Sequence, residues 1–377
     1  MLEHNRTRGR AHWRSLLAFL LATSAAGAMG ALVASPAQAG ASTAPTISVG
    51  MVPVGVAVDP ATDTVYVTNA SSGTVSVIDG STEAVTATIS VGTYPTGVAV
   101  DPTTDTVYVV NRQSTTVSVI DGSTNAVTAT ISVGLSPTRV AVDPASDTVY
   151  VTNGGSDTVS VIDGSTDTVT TAVAAGKGPT GVAVDPTTDT VYVVNSTSGT
   201  VSVIDGSTNV VTATISVGSR PIGVAVDPTT DTVYVTNAGS GTVSVIDGST
   251  DAATFTIAVG THPTGVAIYS ATDTVYVANS GSGTVSVIDG STDAVTTTIA
   301  VGTRPYGVAV DSATDTVYVA NAGSNSVSYI ASSGTAPSGT APTITAPETS
   351  ATATTGQAMT PVTFSATGTP TPTITET

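Results

Sequence analysis

The chain has 377 residues, with 27 Asp+Glu against 9 Lys+Arg, a net charge of −18, and no cysteine. That balance argues against general binding to nucleic-acid backbones, which needs excess cations. Without cysteine there is no disulfide framework, no thiolate metal site and no lipid-modified cysteine.

The N-terminus opens with a basic region, Arg6, Arg8, Arg10 and Arg14, followed by the apolar stretch SLLAFLLATSAAGAMGALVA at residues 15–34. The small-residue site Ala37-Gln38-Ala39 comes next, so residues 1–39 read as a secretory signal peptide cleaved before Gly40. An uncleaved anchor is the competing reading, since twenty mostly apolar residues just span a bilayer. The Ala-Gln-Ala site and the many small residues favour cleavage, which leaves the mature chain with no membrane span. Cleavage removes four cations and one acid, so 5 basic and 26 acidic residues remain, a net of 5 − 26 = −21. Such a chain suits a soluble monomer outside the cell that repels its own kind.

The phrase YVTNASSGTVSVIDGST at residues 66–82 then returns down most of the chain. Asparagine closes its first part at Asn69, Asn111, Asn153, Asn195, Asn237, Asn279 and Asn321, each 42 residues after the last. Prolines Pro53, Pro95, Pro137, Pro179, Pro221, Pro263 and Pro305 keep the same step. Seven copies at one period call for a repeat architecture.

Each copy holds four β-type runs. In the second they are GVAV (97–100), TVYVVN (106–111), TVSVID (116–121) and AVTATISV (126–133). Val, Ile, Thr and Tyr dominate them, as pleated strands prefer. The intervening DPTTD and DGSTN supply turn chemistry. No window carries a 3.6-residue apolar period, so helices are not expected. Val107 and Val109 face one side of their strand, and Tyr108 and Val110 the other, so the sheet must lie between two neighbours. Four antiparallel strands per unit, each unit sandwiched by others, describe an all-β, seven-bladed β-propeller over residues 40–331. The seventh copy stops after its third strand, NSVSYIA (325–331), while a lone PTISVG (45–50) precedes the first copy. That segment matches the fourth strand of other copies and is expected to complete the last blade and close the ring, removing unpaired edges.

TVYVTN, GVAVDP and TVSVIDGST resemble the YVTN-type β-propeller repeats of YncE-like and microbial surface-layer proteins, across roughly residues 44–331. The Gly-His and Trp-Asp signatures of WD40 repeats are missing. The resemblance implies an exported seven-bladed propeller but no single activity. After the ring, residues 332–342 read as a flexible Ser/Gly/Thr/Ala/Pro linker. Residues 343–377 resemble the first half of a bacterial immunoglobulin-like module, too short to close a sandwich. A disordered Thr/Pro-rich tail is the alternative.

The mature chain has one histidine, His262, so no His-His zinc pair, haem-ligand pair or Ser-His-Asp constellation can be assembled. The seven asparagines recur in every copy, whereas a metal site near a propeller axis is singular. They read as turn caps. Asp63, Asp105, Asp147, Asp189, Asp231, Asp273 and Asp315 recur likewise, as do Asp79, Asp121, Asp163, Asp205, Asp247 and Asp289. Asp101 and Asp105 lie across one short turn and could approach calcium, but DPTTD lacks the dense ligand spacing of a calcium loop. Local capping is preferred. No catalytic residue, metal site or cofactor is assigned.

Departures from the repeat are more informative. Alternating strand direction puts the loop before the first strand and the loop after the second on one rim, here called the top. Arg112 lies in a second-to-third-strand loop. Lys177, Arg220, His262 and Arg304 precede the repeat proline, and Arg139 replaces the glycine that opens the innermost strand. Tyr94 and Tyr306 share these regions and can stack on a flat group. Nearly all carboxylates map to the bottom, Asp157 being the clear exception. The expected function is a non-enzymatic scaffold, secreted or at the cell surface. It engages an anionic glycan, a cell-wall polymer or a protein partner through Arg139, Arg220, His262, Arg304, Tyr306, Tyr94, Lys177 and Arg112. The alternatives are a lactonase-like hydrolase with a divalent metal near the axis and, more weakly, a binder of single-stranded nucleic acid.

Overall fold

The structure, a computed structural model, describes residues 43–331 and the backbone of two short strands, Thr343–Ile344 and Ala366–Thr367, which pair antiparallel. The expected signal peptide, the linker and most of the immunoglobulin-like segment lie outside the described residues.

Each of the first six repeats folds into one four-stranded antiparallel sheet with its strands in chain order. In blade 1 these are Pro53–Asp59, Thr64–Asn69, Thr74–Asp79 and Ala84–Ser90. The innermost strand is longer than the GVAV core suggests. It begins at the repeat proline, which has no N–H to give and so suits a first strand position. The register then slips between Pro53 and Val56, a bulge repeated in every blade.

Blade 7 contributes Pro305–Asp311, Thr316–Asn321 and Ser326–Ala331. Its outermost strand is Thr46–Ser48, paired antiparallel through Thr46↔Ser328, Ile47↔Val327 and Ser48↔Ser326. The ring is therefore closed by the N-terminal strand. Ala44 and Ile47 are buried there, so closure adds apolar contact as well as main-chain hydrogen bonds.

The core consists of seven apolar clusters, one between each pair of adjacent blades. Val107 and Val109 pack with Tyr66, Val75 and Ile89 of blade 1, whereas Tyr108 and Val110 pack with Val149 and Val151 of blade 3. All four of these blade 2 side chains are at most 1% exposed, which explains why the second strand is apolar on both faces.

Near the axis, threonine hydroxyls tie neighbouring blades together. Thr68 donates to Thr96 O (3.0 Å), Thr96 to Thr138 O (3.0 Å), Thr152 to Thr180 O (2.8 Å) and Thr180 to Ile222 O (3.2 Å). Thr236 donates to Thr264 O (2.7 Å) and Thr264 to Tyr306 O (2.9 Å). At the seventh interface, between blades 7 and 1, the equivalent positions hold Tyr306 and Ala320. Alanine has no hydroxyl to offer, and among the described residues no such bond spans that seam.

Candidate functional site

Strand direction decides where charge can sit. The inner-to-second and third-to-outer turns form the bottom rim, and they carry every carboxylate of the described residues except Asp157. The top rim carries Arg112, Lys177, Arg220, His262 and Arg304, with Arg139 just inside it. Among the described residues, Lys177 to Asp157 is the one ion pair, at 2.8 Å. Among the described residues the four arginines have no carboxylate partner.

The centre of the top face is a hollow of 190 Å³. Arg139 and Tyr306 both line it, although they come from blades 3 and 7. The Arg139 guanidinium lies over the Tyr306 ring, 5.1 Å from its centroid, and Nη1 donates to Thr96 O at 3.4 Å. Glycine holds the Arg139 position in the other six blades, because neighbouring innermost strands approach closely there. A Cβ on Gly223, for example, would lie 2.3 Å from Thr264 O. Arg139 is thus a departure from a steric rule, and its side chain reaches the one tyrosine of the equivalent ring of positions.

A second hollow of 630 Å³ lies between blades 2 and 3, lined by Tyr94, Arg112, Gln113, Thr115, Leu135, Ser136 and Gly155. Arg112, which is exposed, lines both hollows. Tyr94 reaches the site from a left-handed backbone conformation, φ 57°.

The remaining expected residues are placed differently. Arg220, His262 and Arg304 share the left-handed loop position (φ 48°, 51° and 52°), are exposed, and line neither hollow. They stand in the loops that enter blades 5 to 7, at the repeat position that Tyr94 holds in blade 2. Lys177 is 74% exposed and committed to Asp157. Asp157 is held below its usual carboxylate range by a hydrogen bond from Gly178 N and then by Lys177. Of the eight expected residues, Tyr94, Arg112, Arg139 and Tyr306 line the two hollows, and Lys177, Arg220, His262 and Arg304 do not.

The recurrent Asn and Asp prove to be scaffold elements, though not all act as turn caps. The Asn69 amide crosses to the third strand, donating to Thr74 Oγ1 (3.2 Å) and Ser76 Oγ (2.9 Å). The turn N–H groups of Ser72 and Gly73 are met instead by its main-chain oxygen. Gly50 lies against this amide, where a Cβ would be 2.6 Å from Asn69 Cγ. Asp79 does cap, accepting from Ser81 Oγ (2.6 Å) and Thr82 N (3.0 Å). Asp63 is different. It occupies a left-handed position, φ 53°, and its main-chain oxygen accepts from Gly80 N at 2.8 Å. Asp tolerates that conformation better than most residues, which accounts for its recurrence.

A divalent metal near the axis would need several oxygen donors. The channel below the central hollow is lined by glycines and valines of the innermost strands, with Arg139 and Thr264 the polar side chains. A guanidinium repels such an ion, and among the described residues no group of three or more His, Cys, Asp or Glu is placed to hold one. These residues do not fit an axial metal.

Residues 162–256 match the family model described as "Lactonase, 7-bladed beta-propeller", about a quarter of the chain. No curated protein matches. A chain of the solved structure titled "Kuenenia stuttgartiensis Hydrazine Synthase" is similar in fold, with a TM-score of 0.70 and 21% identity. The match covers 78% of this chain and 98% of that one. At that identity the likeness speaks for the propeller alone.

Proposed function

We propose that the protein is a non-enzymatic binding scaffold, exported to the cell exterior, whose top face engages an anionic partner. The observation that carries this reading is the separation of charge across the ring. Among the described residues, four arginines without carboxylate partners stand on or just inside one rim, and the charged residues of the opposite rim are all acidic. Such a dipolar molecule orients anionic ligands toward its top, most strongly at low ionic strength. The repeat's likeness to YVTN-type propellers supports the exported placement. A glycan and polyanion array tests the reading. Acidic ligands should be retained over neutral ones, and retention should fall as salt rises. Equal retention of neutral and acidic ligands, or no effect of salt, would refute it.

The family-model match over residues 162–256 favours a second reading, a lactonase-like hydrolase. Against it stands the channel lining, which offers a guanidinium where that reading wants metal ligands. Assaying lactone opening with and without added calcium or zinc separates the two, and metal-dependent turnover would decide for the enzyme.

A further inference from the structure

The scaffold reading leaves open where on the top face a ligand lies, and the repeat supplies an internal control for that question. Six blades show what the fold needs at each position, so a bulky departure at one blade is not required by folding. The position of Arg112 is held elsewhere by alanine, glycine or serine, and that of Arg139 by glycine. Tyrosine stands once at the Tyr94 position, a variable one that holds Val52, Ser136, Gly178, Arg220, His262 and Arg304 in the other blades, and once at the Tyr306 position. These four departures arise in blades 2, 3 and 7, yet the fold brings all of them onto two hollows that share Arg112 as a wall.

We propose that the two hollows form one binding path for an acidic glycan, from the channel mouth to the groove between blades 2 and 3. This inference rests on the scaffold reading and narrows it. Uronate carboxylates would meet Arg139, backed by Tyr306, at the inner end and Arg112 at the middle, and a sugar ring would lie on Tyr94.

Three features select a glycan. First, a guanidinium has five N–H donors in a planar fork suited to a carboxylate. Arg139 uses one, to Thr96 O, and has its face on Tyr306, so its remaining edge is available. Second, the lining offers Ser196 and Gln113, and the Thr96, Thr138 and Thr180 hydroxyls, whose protons are given to neighbouring blades, keep lone pairs that can accept from sugar hydroxyls. Third, an acidic peptide would gain most from a large apolar pocket, and the aliphatic side chains of the path are few, Val54 and Ile222 at its inner end and Leu135 outside. Leu135 is its one large aliphatic side chain on the outer side and stands 61% exposed. Below Arg139 the channel walls are glycine and valine, so the acidic end stops at the guanidinium.

Calorimetric titration of the full chain with a short oligogalacturonate, at low salt, tests the path. The double variant Tyr94→Val/Arg112→Ala should weaken binding by about tenfold or more, since a charge-assisted pair and a stacking face are both lost. Arg112→Lys, which keeps the charge but not the fork, should fall between that variant and the parent. The triple variant Arg220→Ser/His262→Ser/Arg304→Ser should stay within about twofold, as its charges act only through screened long-range attraction. All of these residues are exposed or half-buried loop side chains, and an unchanged thermal midpoint verifies the fold. If the triple variant loses binding and the double variant keeps it, the path is wrong, while the anionic-ligand reading stands. If polyglutamate binds more tightly than oligogalacturonate through the same residues, the glycan class is wrong. If the parent binds neither polymer, the scaffold reading fails with the path.

Discussion

The Arg139 guanidinium rests on the Tyr306 ring at 5.1 Å, joining blade 3 to blade 7 across the mouth of the central channel. The two residues are 167 positions apart, and each is the one departure of its kind in its ring of equivalent positions. A cation–π contact that is partly open to solvent contributes about 0.5–1 kcal/mol. A double-mutant cycle with Arg139→Gly and Tyr306→Thr, both residues borrowed from sister blades, should return a coupling of about that size in denaturant unfolding. A coupling indistinguishable from zero would mean the latch does not form in solution.

Closure by the N-terminal strand has a separate consequence. Thr46–Ser48 covers the outer edge of Ser326–Ala331, and Tyr329 N donates to Pro45 O at 3.1 Å. Removing residues 43–50 would expose that edge and uncover the cluster containing Ile47, Val56, Val65 and Val327. The truncated chain should melt earlier and less cooperatively, and should form oligomers through the freed strand. Light scattering and calorimetry together check this. A truncated monomer with the parent's midpoint would show that the strand is dispensable.

Much of this architecture was legible because the repeat is nearly undisturbed. A fixed period, two-faced apolar strands and one displaced fourth strand dictate a closed ring. The candidate site was legible only in part. Sequence position identifies Arg139 and Tyr306 as unusual but carries no information on which blades face each other across the axis. Nor does it tell which members of one repeat position border a hollow: Tyr94 does, whereas Arg220, His262 and Arg304, at the same position, do not. The Asp63 position was misread for a related reason. Aspartate is enriched both as a cap and in left-handed turns, and only the backbone angle, φ 53°, distinguishes the two.

The closing seam is also where pH should act. Asp63 is raised to about 6, chiefly by burial, then by hydrogen bonding to and the charge of Asp311, with Asp79 adding. Glu83 is raised to about 7, again chiefly by burial, with Asp63 and Asp79 adding; a hydrogen bond from the Tyr318 hydroxyl, at 3.3 Å, opposes the rise. Burial, and then the charge of Glu83, also raise Tyr329. Both carboxyl groups titrate higher in the folded ring than in the unfolded chain, where they titrate at about 4. Their contribution to stability is therefore complete below that value and is lost as pH rises through about 6 to 7. The denaturation midpoint of the parent should fall across that interval. Glu83→Asn, the residue at this turn in blades 2 and 4, should make the fall shallower, because one of the two large upward shifts is removed while smaller ones at the other seams, such as Asp105 and Asp147, remain. An identical pH profile for the variant and the parent would exclude Glu83 as a source of the effect.

The absence of a threonine bridge at the same seam suggests how to strengthen it. Thr68, Thr152 and Thr236 each accept from the innermost strand of their own blade, from Gly55 N (2.8 Å), Arg139 N (3.1 Å) and Gly223 N (2.9 Å). Each also donates to the next blade, so one hydroxyl satisfies two main-chain groups. Ala320 occupies the equivalent position in blade 7 and is fully buried. The acceptor is already in place, since Val54 O lies 2.5 Å from where a Cβ on Gly307 would be, much as Thr96 O lies 2.4 Å from one on Gly55. Ala320→Thr should therefore accept from Gly307 N and donate to Val54 O without new backbone geometry. A typical intramolecular hydrogen bond adds about 0.5–1.5 kcal/mol, so a gain within that range is expected. The gain should be largest in the unfolding rate if the closing seam opens first. The opposing term is overpacking, because threonine must fit where alanine now sits. Valine serves as the control, being close to threonine in shape without the hydroxyl, and it stands at this position in blades 2 and 4. Ala320→Val should fall short of Ala320→Thr by roughly the worth of the bridge, about 1 kcal/mol. Equal stabilities for the two would show that the hydroxyl makes no bond across the seam.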